Sequence, residues 1–213
     1  MTAAGEGAAI GRVVTSGTFS LDGGTWEVDN NVWLVGSGDE VVVIDAAHDA
    51  EAIAAAVGDR TVRAIVCTHG HDDHVGAAPA LAARTGASVM LHPADQVLWD
   101  MVHPGTPYTP LADGQVISAG GVELTVMHTP GHAPGAVCLY APALGTVFTG
   151  DTLFRGGPGA TGRSFSSFET IVESIRGRLL TLPPETVVRT GHGDSTTIGE
   201  EAPHLEEWLA RGH

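Results

Sequence analysis

Along the chain, short apolar runs alternate with stretches punctuated by glycine, proline and acidic residues. Val41 to Ile44 is wholly apolar, the pattern of a strand covered on both faces, and Val62 to Cys67 reads as a buried strand too. Ile10 to Thr18 and Asn31 to Val35 also read as strands, with the turn-former Asp22-Gly23-Gly24 between them. Two later hairpins are predicted: Gln115 to Ser118 with Val122 to Met127 around Ala119-Gly120-Gly121, and Ala136 to Tyr140 with Thr146 to Thr149. Ser88 to Leu91 and Thr186 to Val188 complete the strands.

Elsewhere the spacing turns helical. Ala50 to Val57 is alanine-rich and ends at Gly58-Asp59. The segment after His74 runs to about Arg84 and stops at Gly86, and Pro79 inside it imposes a kink or a late start. Pro93 to Met101 reads as a short helix with Trp99 in the core. Phe168 to Leu180 is amphipathic, with Ile171, Ile175 and Leu179 spaced by four. Thr197 and Glu200 have capping-box spacing, and His204 to Leu209 is the closing helix. His103 to Leu111, with its three prolines, reads as a surface loop, and the glycine-rich Arg155 to Arg163 as an irregular one.

With 213 residues and no repeat or linker, the pattern predicts one domain. Acidic residues outnumber basic ones 25 to 10, and every basic residue is arginine. A formal charge of −15 argues against nucleic acid and anionic membranes as partners, and a small-molecule substrate is expected instead. Cys67 and Cys138 lie in apolar runs and read as free buried thiols, in keeping with a reducing cytoplasm. The opening Met1 to Ala9 has neither a basic start nor an apolar core, so no signal peptide is expected. No apolar run approaches the ~20 residues of a membrane helix, and the expected location is cytoplasmic.

The chemistry concentrates in residues 68–74, Thr-His-Gly-His-Asp-Asp-His, between a predicted strand and a predicted helix. Imidazole and carboxylate are ligands that zinc-like divalent ions prefer. His69 and His71, two apart on an extended loop, can address one ion; Asp73 and His74 begin the next turn and are aimed elsewhere. The alternative is a solvated loop with several histidines. The same pattern, a strand followed by a glycine-flanked His or Asp, recurs at His132, Asp151 and His192. Together the set offers five imidazoles and two carboxylates, enough for two ions with a shared carboxylate and room for water. Asp45 ends the Val41 strand as a costly buried carboxylate, either a loop cap or a partner orienting a metal-bound histidine.

The motif His-x-His-x-Asp-His, with the later Thr-Pro-Gly-His, Thr-Gly-Asp-Thr-Leu-Phe and Gly-His-Gly-Asp stretches, resembles the metallo-β-lactamase superfamily, and its glyoxalase II-like branch in particular. The likeness covers about Asn31 to Glu200. It implies an α/β fold, a four-layer αββα sandwich with the site along one edge. It further implies that His69, His71 and His132 hold one zinc, that Asp73, His74 and His192 hold a second, and that Asp151 bridges them. Iron or manganese is the alternative at either position. Glyoxalase II enzymes carry an appended helical domain for glutathione, whereas this sequence ends 21 residues after His192, so a different thiol carrier is expected. Arg163 is a candidate for the basic residue near that carrier, or a plain surface arginine. Asp151 also argues against β-lactam hydrolysis, since by the same likeness true β-lactamases lack an aspartate there. Nuclease relatives need an inserted domain and flavodiiron relatives a flavin domain.

Two divalent ions lower the pKa of a shared water from about 15.7 toward 7, and one of them polarises an acyl carbonyl. Asp73 can orient the nucleophile. A thiolate, with a conjugate-acid pKa of roughly 8.5, leaves without a general acid, which ranks a thioester above an amide. Lactones and activated esters remain alternatives. So does a mononuclear iron persulfide dioxygenase using His69, His132 and Asp151.

Overall fold

The computed structural model describes residues 7–212. Met1 to Glu6, where no leader was expected, lie outside the described residues. The chain opens with β1 (Ala9–Leu21) and β2 (Gly24–Ser37), antiparallel along their whole length from Ala9↔Gly36 to Leu21↔Gly24. Then come β3 (Glu40–Ile44), β4 (Thr61–Val66), β5 (Val89–Leu91) and β6 (Thr109–Pro110), and the six strands pair in chain order. A second sheet begins with β7 (Val116–Ala119), β8 (Val122–His128), β9 (Val137–Ala141) and β10 (Thr146–Gly150). After a two-stranded ribbon, β11 (Leu153–Phe154) and β12 (Gly157–Pro158), β13 (Val187–Thr190) and β14 (Thr196–Thr197) complete it in the order β14-β13-β10-β9-β8-β7.

Alternation along these strands builds the layers. Val32, Leu34, Val41 and Val43 point one way, onto Ile53 and Val57 of helix α1 (Ala50–Val57). Trp33, Val35, Val42 and Ile44 point the other way, against Leu124, Val126, Leu139 and Phe148 of the second sheet. The outer face of that sheet, Cys138, Val147 and Val188, packs on Ile171, Ile175, Leu179 and Trp208 of the late helices. The result is the four-layer αββα sandwich. Both cysteines are free and buried within these apolar clusters.

Several elements differ in extent from the sequence reading. The β1–β2 ribbon continues through residues 19–30, where its outer face (Ser20, Thr25, Glu27, Asp29) is polar and exposed while Phe19 and Asn30 are buried. The segment after His71 splits into α2 (Asp72–Val75) and α3 (Ala78–Thr85), with Pro79 in the first turn of α3, the late start its fixed φ favours. Thr109 and Pro110 of the proline loop add an edge strand, where a missing N–H costs little. Leu153–Phe154 pairs with Gly157–Pro158 across the start of the glycine-rich segment, which is therefore ordered at that end. Helix α4 (Gln96–Val102) buries Trp99, as expected. Helix α5 (Phe168–Ser174) continues as a wider π turn, Ile175–Leu179, in which the Leu180 N–H reaches Ile175 O. Thr197 caps α6 (Ile198–Glu201) by accepting from the Glu200 N–H, and α7 (Leu205–Arg211) closes the chain.

Candidate metal centre

Four loops and the short helix α2 meet at one edge of the sandwich. His69 and His71 follow β4, and Asp73 and His74 lie in α2. His132 sits between β8 and β9, Asp151 follows β10, and His192 follows β13. All seven sequence candidates for the two groups are brought together here. The last loop approaches closely because residue 191 is glycine: a Cβ there would lie 2.3 Å from Asp151 Oδ1 and 2.7 Å from His74 Cε1.

Ligand-type atoms gather in triplets, His69–His71–His132, Asp73–His74–His192 and His69–His74–Asp151. His69 Nε2 is 3.0 Å from His71 Nδ1, which is 3.1 Å from His132 Nε2. In the other group His74 Nε2 lies 3.4 Å from Asp73 Oδ2 and 3.2 Å from His192 Nε2. Asp151 Oδ2 stands between the groups, 3.6 Å from His132 Nε2 and 3.4 Å from His192 Nε2.

The outward nitrogens explain why the inward ones are bare. His69 Nδ1 meets Thr68 Oγ1, His132 Nδ1 meets Ala160 O, His192 Nδ1 meets Asp29 O, and His74 Nδ1 meets Asp45 Oδ2. Each ring thus keeps Nδ1 on an outward partner and turns Nε2 inward, the arrangement in which Nε2 ligates once an ion replaces any proton it carries. His71 turns Nδ1 inward and leaves its buried Nε2 without a partner. Nitrogens each about 2.0–2.1 Å from one ion sit about 2.9–3.4 Å apart, which the first group matches. Buried Asp151 Oδ1 has no hydrogen-bond partner, a further sign that this donor set suits divalent ions. Asp45 fills both roles open to it: its carboxylate caps the loop through Thr68 N and Oγ1, and it orients His74.

Charge divides the two groups. Burial, with the neighbouring rings, holds His69 well below the ordinary histidine range, and burial takes His71 down to about 3 and also lowers His132. For His74 burial is outweighed by Asp73, Asp151 and Asp45, so its pKa rises well above the usual value. For His192 burial is outweighed by Asp151 and Asp73, which raise it to about 10. Burial likewise loses at Asp73, held at about 2 by His74 and His192. In the metal-free protein at neutral pH, then, His74 and His192 carry protons while His69, His71 and His132 do not. An ion entering the Asp73 group therefore competes with protons, and one entering the His71 group does so far less. Affinity at the Asp73 group therefore rises with pH toward the His192 value, while the His71 group stays nearly level. Calorimetric zinc titrations in buffers of different ionisation enthalpy will show one proton-releasing and one proton-neutral event; equal release at both would contradict the assignment.

The site includes residues that the sequence reading missed. Asp95, fully buried, accepts from the Gly70 N–H between His69 and His71 and from the Gly135 N–H beyond His132, holding the two loops at a fixed spacing. Asn30 and His48 stand behind Asp73. A cavity of about 150 Å³ opens onto the triplets, and Phe19, Val28, Phe154, Ala160 and Arg163 line its rim. Arg163 lies 4.2 Å from the Trp26 ring centre and 5.3 Å from that of Phe19. Only the inward alternation of Phe19 and Val28 on the ribbon, once its full length is known, could have signalled them.

Residues 25–192 match the metallo-beta-lactamase superfamily. The chain belongs to that superfamily. As a member it is a metal-dependent hydrolase, with histidine and aspartate clusters of the kind that bind divalent ions. Among curated relatives, the hydroxyacylglutathione hydrolase GloC of Haemophilus influenzae is 31% identical over 175 residues, covering 75% of this chain and 82% of its own. Among solved structures, the BLEG-1 B3 metallo-beta-lactamase superposes with a TM-score of 0.75 at 29% identity, covering 91% of this chain and 99% of that one. TTHA1623, crystallised in a di-iron-bound form, superposes with a TM-score of 0.74 at 36% identity, covering 82% and 93%. No helix among the described residues is long and apolar enough to cross a membrane.

Proposed function

We propose that this metallo-beta-lactamase-fold protein is a thioesterase that holds two zinc ions and cleaves a small acyl thioester of a low-molecular-weight thiol. The observation that carries the reading is the placement of Asp151 Oδ2 between two complete triplets, 3.6 Å from His132 and 3.4 Å from His192. His69, His71 and His132 would hold one ion, Asp73, His74 and His192 the other, with Asp151 shared. Ions so bound supply a water acidic enough to act as nucleophile at neutral pH and a Lewis acid for the acyl carbonyl.

The chain's own residues narrow the substrate. Every carboxylate and imidazole lining the cavity belongs to a triplet, and the other lining residues are Phe19, Val28, Phe154, Ala160 and Arg163. None of these is free to protonate a leaving group. A thiolate leaves unprotonated, with a conjugate-acid pKa of roughly 8.5, whereas an amine does not. About 150 Å³ is the room of about five waters, enough for a short acyl chain. Arg163, steadied over Trp26 and Phe19, is placed to pair with an anionic or polar end of the substrate. Asp73 lines the cavity and accepts from Asn30, so it can orient a nucleophile while facing the second ion. The relative GloC is named as a hydrolase of hydroxyacylglutathione, which supports a thioester substrate.

The test is a side-by-side assay of short acyl thioesters, a β-lactam and glutathione persulfide, with an oxygen electrode running and the bound metal analysed. Thioester cleavage without oxygen uptake by a two-zinc preparation is expected. Oxygen uptake with persulfide by an iron preparation, or β-lactam turnover without thioester cleavage, would overturn the reading.

A further inference from the structure

We propose that Asn30 and His48 form a positioning pair that selects Oδ2 of Asp73 as its ion-facing oxygen and reserves Oδ1 for the cavity. The inference rests on the two-ion reading above and goes beyond it, because neither residue belongs to a triplet.

Hydrogen-bond directions follow from what each group can do. Asn30, fully buried on β2, places Nδ2 3.0 Å from Asp73 Oδ2 and 3.3 Å from His74 Nε2. A carboxylate only accepts, so the amide must present its NH2 to Asp73 and its oxygen to the other side. On that side His48 Nε2 lies 2.8 Å from Asn30 Oδ1, and an oxygen facing it requires Nε2 to carry the hydrogen. The chain of donation is therefore fixed in one sense, from His48 through Asn30 to Asp73. Without His48 the Asn30 oxygen loses its donor, and Asp73 alone is left to hold the amide in that sense.

The backbone is shaped to hold this ring. His48 sits at a left-handed φ of 54° in the loop between β3 and α1, and Thr15 Oγ1 ties that loop to β1 through Ala47 O at 3.1 Å. A Cβ on Gly17 would lie 2.2 Å from His48 Nδ1, so the ring reaches Asn30 only because β1 carries glycine at that point. Asp73 Oδ2 is also the oxygen 3.4 Å from His74 Nε2 and 3.3 Å from His192 Nε2. Among the described residues none hydrogen-bonds Oδ1, and Asp73 lines the cavity. One amide thus gives the two oxygens of one carboxylate different tasks.

The experiment compares Asn30→Ala, His48→Ala, His48→Gln and the double variant Asn30→Ala/His48→Ala. Zinc is titrated against a chromophoric chelator, and kcat and KM are measured at saturating zinc. Partners behind metal ligands typically matter by about 10–100-fold, so Asn30→Ala and His48→Ala should each loosen the Asp73-group ion by about that factor and lower kcat. KM and the His71-group ion should stay at parental values. The double variant should lose no more than Asn30→Ala alone. His48→Gln, whose amide can donate from nearly the same place, should recover to within about threefold of the parent. A metal-free arm follows hydrogen exchange of the Asn30 side-chain amide, which His48→Ala should accelerate. Unchanged ion affinity in His48→Ala, losses that multiply in the double variant, or equal loosening of both ions would overturn the pair. A parent that binds one zinc would instead overturn the two-ion reading, while the exchange arm still decides whether the pair exists.

Discussion

Asp73→Asn lowers kcat by about 10²–10⁴-fold while KM stays near the parental value, the span typical of groups that orient or deprotonate a nucleophile. The side chain keeps its shape and loses its charge. The native carboxylate lines the cavity and accepts from Asn30 at 3.0 Å, and His74 and His192 hold its pKa at about 2. An asparagine there either turns its NH2 toward the Asn30 NH2 or offers it to the cavity, and neither arrangement accepts a proton. Because His74 and His192 hold the native carboxyl below its ordinary range, the acid limb of the parent's pH–rate profile is expected to belong to another group. Steady-state kinetics at saturating zinc checks both statements. A variant altered chiefly in KM would reassign Asp73 to substrate positioning.

Asp151→Ala loosens both ions, each by at least about 100-fold, the upper end of what removing a mere outer partner does. Its Oδ2 stands 3.6 Å from His132 Nε2 and 3.4 Å from His192 Nε2, so it is the carboxylate in reach of both groups. On the proposed two-ion reading, removing it would take a direct ligand from each position and leave cations facing one another with less negative charge between them. Metal analysis after dialysis, with chelator competition, gives the two constants. Retention of both ions at parental affinity would end the bridging assignment.

The ligand loops were legible because the chemistry itself is local. Thr68 to His74 packs its groups into seven positions after an apolar strand, and the others repeat the same device singly. The layers were legible too, since Val41 to Ile44 and Val62 to Cys67 carry apolar side chains on both faces and need cover on each. What escaped was polar and solitary. Asp95 looks in sequence like an ordinary helix-start aspartate; its role comes from two glycine N–H groups 25 and 40 residues away. Asn30 and His48 gain meaning only when β2 and the β3–α1 loop converge behind α2. The ribbon beyond Thr18 hid for another reason: its outer face is polar and its tip is the Asp22-Gly23-Gly24 turn, so the run looks like a loop until both strands are paired.

His69 to His74 hang from the first sheet, whereas His132, Asp151 and His192 hang from the second. An ion held by both sets would span the seam between two halves that also meet through apolar side chains and through hydrogen bonds such as Trp33 Nε1 to Thr190 O. Loading and folding then become linked equilibria: an ion that binds the native state alone adds RT ln(1 + [ion]/Kd), about 4.1 kcal/mol at a thousandfold excess over Kd. With the ions bound as proposed, the melting temperature is expected to rise with free ion concentration, and a chelator to act as a mild denaturant.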